Sequence, residues 1–200
     1  MRVLVVGATG TIGSAVVAAL REDHDVVSAS HRKADIRVDI ASSDSIRAMY
    51  AAVGELDAVV STAGAARFRP FAELSDEDFA FSIANKLMGQ VNLVRLGLPH
   101  VRANGSFTLT SGILARSPMP GSGAISLVNA GLEGFVRAAA LEAPRGIRVN
   151  AIAPPWVSET LKAMGKDPSG GLPAATVARA YVRSVTGRET GAVIEPGKKA

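Results

Sequence analysis

The first chemistry legible in this sequence is anion binding. "GATGTIG" (7–13) spaces Gly7, Gly10 and Gly13 as G-x-x-G-x-x-G, directly after the apolar run "RVLVV" and at the start of a helical pattern. Glycine lets the chain turn sharply and lets a phosphate approach the main chain. A helix start adds unpaired N–H groups and partial positive charge. Between a first strand and a first helix, the pattern points to the pyrophosphate of a dinucleotide, held by Gly7, Thr9, Gly10, Thr11, Ile12 and Gly13. A second group, "SASHRK" (28–33), ends the next apolar run on Ser30, His31, Arg32 and Lys33. These are donors and cations at the place where a carboxylate would accept the ribose hydroxyls of NAD(H). Such an edge suits a 2′-phosphate, so NADP(H) is preferred over NAD(H). The bland alternatives are a ligand-free tight turn and solvated loop charges.

The elements that must position these groups follow from periodicity. Strands are expected at 2–6, 24–30, within 35–40, and at 56–64, 105–112, 146–154 and 191–196, and helices at 11–21, 43–53, 123–142 and 174–185. A long helical pattern over 75–101 is bent or divided near Gly89. "MGKDPSGGLPAA" (164–175) reads as a surface loop or a lid. Strict alternation of strand and helix calls for a Rossmann-type, doubly wound parallel sheet of about seven strands with helices on both faces. With no linker or repeat, residues 1–200 form one domain.

Composition narrows the function classes. Hydrophobic residues at 48% with 20% charged describe a globular chain, and the absence of Cys removes disulfides and thiolate chemistry. We expect no metal site. The net charge of +4 comes from scattered basic residues, which argues against nucleic acid as a partner. No apolar segment reaches the ~18 residues needed to span a bilayer, and the N-terminus lacks a signal-peptide pattern. No membrane partner and a cytoplasmic location are therefore expected, with a small molecule of unknown identity as substrate.

Several separated segments resemble the short-chain dehydrogenase/reductase family, from residue 1 to about 160 and more loosely beyond. The glycine turn is one, with Thr11 where that family usually has its second glycine. "VDI" (38–40), holding Asp39 and Ile40, is similar to the segment whose aspartate meets the adenine ring. "STAG" (61–64), with Ala63 and Gly64, is similar to the family's N-N-A-G turn. Asn85 resembles its helical asparagine, and Ser111 its catalytic serine. "GIRVNAIAPPWV" (146–157) resembles the strand and loop covering the nicotinamide, through Pro154 and Val157, with Pro155 where glycine is usual.

The resemblance breaks on the helix that begins near residue 123. Family members place a tyrosine there to exchange the carbonyl proton, and a lysine four residues later to lower its pKa and hold the ribose. Anchoring on "NAGLEGF" puts Ile125 and Asn129 in those places. No shift of register restores the pair. The only tyrosines are Tyr50 and Tyr181, and no lysine lies between Lys86 and Lys162. Ile125 has no ionisable proton, and Asn129 donates hydrogen bonds without charge. Arg116, Lys86, Lys162 and Lys166 are the substitute cations, and each is read as a surface charge. Lys86 in particular sits beside Asn85, and neighbouring helical residues point in different directions.

The resemblance implies an NADP(H)-dependent oxidoreductase with an altered proton route, in which Ser111, Asn85 and Asn129 orient the reactants. The alternative is a catalytically silent dinucleotide-binding sensor or regulatory protein. Another chemistry on the same fold has no specific support. The resemblance also implies a homodimer or homotetramer.

Overall fold

The computed structural model describes residues 1–197. β1 (Arg2–Val6) turns Leu4 and Val6 to one side and Val3 and Val5 to the other, the two-residue period of a strand buried on both faces. It is an inner strand of a seven-stranded parallel sheet with β2 (Asp25–Ser30), β3 (Ile36–Arg37), β4 (Leu56–Ser61), β5 (Val101–Thr110), β6 (Arg148–Ile152) and β7 (Val193–Ile194). The order is β3-β2-β1-β4-β5-β6-β7. The chain builds outward from β1 in one direction and then from β4 in the other. A crevice therefore opens at the C-terminal ends of β1 and β4.

Two apolar layers hold the helices to this sheet. On one face, Ile46, Met49 and Tyr50 of α2 (Ser43–Val53), Leu93 of α4 (Gly89–Gly97) and Leu132 and Val136 of α5 (Gly123–Glu142) pack on Leu4, Val59 and Phe107. On the other, Val16 and Leu20 of α1 (Thr11–Leu20) meet Val177, Tyr181 and Val185 of α7 (Ala174–Thr186) over Val3, Val5 and Val60. This is the doubly wound α/β/α sandwich expected from the alternation.

The division expected near Gly89 is present, and two elements differ from expectation. The helical stretch from 75 is segmented into α3 (Asp76–Ser82), a π-helical turn over Ile83–Met88 and then α4. Gly89, at the junction, lies so close to Ile40 that a Cβ there would stand 3.0 Å from its side chain and carbonyl. A short helix, α6 (Ser158–Ala163), precedes the expected loop. It is held from outside: Val157 bridges Leu172, and the Glu159 carboxylate accepts from the Ala174 N–H at 2.9 Å. Six residues are too few for a period to show in sequence. Finally, α5 is long and apolar enough to cross a bilayer by length and composition, contrary to the expectation that no segment is. Its Val128, Leu132 and Val136 are buried among the core side chains.

Candidate cofactor and active site

The crevice at the switch point holds two chambers that meet at Gly64. The outer one, about 670 Å³, is lined from the ends of β1, β2 and β4 by Gly7, Ser30, His31, Arg32, Asp39, Ile40, Ala63 and Gly64. The inner one, about 290 Å³, is lined by Ile12, Lys86, Ser111, Ile125, Asn129, Pro154, Trp156 and Val157. The fold thus brings most of the residues singled out in the sequence to one cleft, whereas Thr9, Gly10, Thr11, Gly13 and Lys33 are not among the lining residues of either chamber.

The three glycines do different work. Gly7 has φ +87°, and a Cβ on it would meet the Ala63 nitrogen at 2.7 Å. Gly13 is buried, and a Cβ there would fall 2.0 Å from the Gly7 carbonyl oxygen, so it exists for helix–turn packing. Gly10 is exposed and caps α1 with no side-chain hydrogen bond. With no side chain there to accept, the first-turn N–H groups of α1 remain available to an anion. Thr9 and Thr11 are exposed beside Gly10. Thr62 locks the turn from β4 by donating its hydroxyl to the carbonyls of Val6 and Gly7, each at 3.1 Å.

At the outer end, Arg32 and His31 are exposed, and neither forms an ion pair among the described residues. Lys33 lies beside them, its N–H donating to the Ser30 hydroxyl at 3.2 Å. Asp39 uses a carboxylate oxygen on the Ala41 N–H at 3.0 Å. The bare helix N-terminus and the open Gly10 fit the diphosphate of a dinucleotide.

The inner chamber departs from the sequence reading. Asn85 does not reach it. Its side chain lines the outer chamber and accepts from the Ala65 N–H at 2.7 Å, bracing the turn after Gly64. Lys86 does reach it, which corrects its reading as a surface cation. It is 8% exposed, and its Nζ donates to the Ser111 carbonyl at 3.3 Å. The cause is the π-helical turn: one added residue per turn changes which side chain faces the cleft. Burial pushes the Lys86 ammonium down to about 8. One turn on, Gln90 clamps the last residue of β5, accepting from the Thr110 N–H at 2.8 Å and donating to its carbonyl at 2.9 Å. This fixes the height of the helix against Ser111.

Ser111 is buried at the end of β5, where the sequence placed it, but its hydroxyl faces acceptors, Glu133 Oε1 and the Ile152 carbonyl, each at 3.3 Å. Arg116 does not line the chamber. It pairs with Glu133 at 3.4 Å and Glu195 at 2.6 Å. Ile125 and Asn129 share one wall on α5. The Asn129 Oδ1 is buried with no hydrogen-bond partner, an uncompensated acceptor of the kind a ligand hydroxyl satisfies. Trp156 closes the chamber, edge-on to Phe68 at 6.4 Å between ring centroids. Lys162 and Lys166 stay exposed, the latter 5.8 Å from the Trp156 ring.

The fold and the cleft define an α/β protein of Rossmann-type, dinucleotide-binding architecture. The family described as "Enoyl-(Acyl carrier protein) reductase" matches residues 3–194, and the chain belongs to this family, a branch of the short-chain dehydrogenases/reductases. Among curated relatives, the oxidoreductase UcpA of Salmonella typhimurium is 32% identical over 135 residues, 64% of this chain and 51% of the relative. The cis-4-hydroxycyclohexanecarboxylate dehydrogenase of Sinomonas cyclohexanicum is 33% identical over 168 residues, 80% of this chain and 65% of the relative. The chain thus spans about half the length of UcpA. The crystal structure of the protein lin1944 from Listeria innocua superposes with a TM-score of 0.94 at 41% identity, covering 98% of both chains. A small-chain dehydrogenase in complex with NADPH superposes with a TM-score of 0.86 at 26% identity, covering 98% of this chain and 95% of that one.

Proposed function

We propose that this protein is an NADP(H)-dependent oxidoreductase acting on a small carbonyl or alcohol compound, and that it lacks the family's tyrosine–lysine pair. The observation that carries this is the two-chambered cleft: a cationic phosphate edge at one end and an apolar chamber with isolated polar groups at the other. The NADPH complex of a similar fold and the dehydrogenase among the relatives support it.

Gly7, Gly10 and the first turn of α1 hold the diphosphate, Arg32 and His31 the 2′-phosphate, and Asp39 and Ile40 border the adenine. Pro154 and Val157 cover the nicotinamide, and the Asn129 carbonyl oxygen takes a ribose hydroxyl. When bound, the cofactor supplies or accepts the hydride. The chain itself excludes water from the inner chamber with Ile12, Ile125 and Trp156 and sets the orientation of the substrate oxygen. We also propose a homodimer or homotetramer formed across α5, whose outer face exposes Leu127, Gly131, Gly134 and Leu141.

A second reading, a silent dinucleotide sensor, is favoured by Ile125, which places an aliphatic side chain on the chamber wall. Fluorescence titration with NADPH and NADH, followed by absorbance assays over a panel of aldehydes, ketones and quinones, separates the two. Tight NADPH binding with turnover supports the enzyme. Tight binding without any turnover supports the sensor, and no binding removes both.

A further inference from the structure

We propose that Lys86 is the acid–base residue of this site, giving a proton to the oxygen of a bound carbonyl compound or taking one from an alcohol. This rests on the dinucleotide reading above and supplies the proton route that Ile125 cannot. The lysine absent from α5 is supplied by another element of the same chamber, which Lys86 and Asn129 both line.

The placement carries the argument. Lys86 lines the inner chamber, and its Nζ makes a single hydrogen bond, to the Ser111 carbonyl. An ammonium has three donors, so two remain for a ligand. No carboxylate pairs with it among the described residues. On the elements packed against its turn, Asp78 of α3 is held by Arg67 and Arg69, and Glu133 of α5 by Arg116 and Arg137. Arg95 of α4 is bound to Asn92. Buried lysines are rare unless paired, so an unpaired one facing a cavity calls for a ligand. The turn makes room for it: Gly64 has φ +137°, and a Cβ there would press on the Lys86 Cγ at 3.0 Å. Ser111 is a poorer donor, because its one proton already faces Glu133 and Ile152.

In the reducing direction the carbonyl carbon receives the hydride of a reduced nicotinamide, and the carbonyl π pair moves to oxygen. The Nζ–H bond of Lys86 breaks and an O–H bond forms. The neutral amine then regains a proton from water. With its ammonium at about 8, both forms of Lys86 are accessible near neutral pH, as this cycle needs.

The test traps the amine without requiring turnover. The folded protein is treated with benzaldehyde and cyanoborohydride at pH 7.5, and the alkylated lysines are mapped by peptide mass spectrometry. A reachable amine of lowered pKa reacts ahead of the surface lysines Lys33, Lys162 and Lys166 by at least about tenfold. Lys86→Arg then leaves only the surface lysines labelled. Labelling of those lysines ahead of Lys86, or no label on Lys86, overturns the proposal, because a lysine that only ties its helix to Ser111 stays shielded. NADPH titration on the same sample keeps the two readings apart. Binding without Lys86 labelling removes this proposal alone, whereas no binding removes the dinucleotide reading and the proposal with it.

Discussion

Replacing Lys86 by methionine should stabilise the protein at neutral pH, and the size of the gain should depend on pH in a calculable way. Burial lowers the ammonium from 10.5 to about 8, so between those values the folded chain binds fewer protons at this site than the unfolded chain. Wild-type stability therefore rises as pH increases through that window. At pH 7, below both values, the whole penalty is present, about 3 kcal/mol at ~1.36 kcal/mol per pH unit. Linkage removes roughly 2 kcal/mol of it by pH 9.5. Methionine has similar length and no charge, so it abolishes this dependence. The variant also loses the hydrogen bond to the Ser111 carbonyl and repacks the chamber, but neither change varies with pH. Urea unfolding of both proteins at pH 7 and pH 9.5 isolates the charge. The advantage of Lys86→Met over wild type should shrink by about 2 kcal/mol between the two pH values. Parallel behaviour of the two proteins would mean that Lys86 titrates like a solvated amine, and the reasoning about its burial would be wrong.

Other expectations arise from the same cleft. For any carbonyl compound the wild type reduces, Lys86→Met should lower kcat/KM by about 10²–10⁴-fold and abolish the limb of the pH profile near 8. Arg32→Ser should weaken NADPH by about tenfold while leaving NADH nearly unchanged, read by fluorescence titration, since it removes a phosphate partner and little else. Gly13→Ala should cost more than ~2 kcal/mol in chemical unfolding, because its Cβ collides with the Gly7 carbonyl. In Tyr181→Phe, the loss of the 2.7 Å hydroxyl contact with Thr110 should cost about 1 kcal/mol, measured the same way.

Much of this architecture is legible in the sequence because burial writes itself into periodicity. β1 shows as an apolar run because both its faces are covered, and the glycine turn is recognisable because Gly7 and Gly13 meet steric demands that no other residue satisfies. Arg32, Asp39 and Ser111 are located by the strands that end at or near them. Lys86 escapes such reasoning because helical periodicity assumes a constant turn, and nothing local in "SIANKLMG" announces a wider one. The family resemblance gives Asn85 a role in orienting the reactants, whereas here it braces the neighbouring turn. α6 is invisible for another reason: its hydrogen-bond partners, Leu172 and Ala174, lie beyond its own sequence. The commitment of the Ser111 hydroxyl also depends on Glu133, a helix away, which no strand pattern reveals.

The wide turn over Ile83–Met88 has an evolutionary corollary. Removing one codon from this stretch would let it relax to ordinary α-helical winding, with the helices on either side keeping their orientations and only the residues of the turn changing face. The amine would swing off its cavity while the seven strands kept their places. A protein of this kind can therefore gain or lose an ionisable group in its cleft through a single in-frame indel, with every side chain elsewhere unchanged in identity.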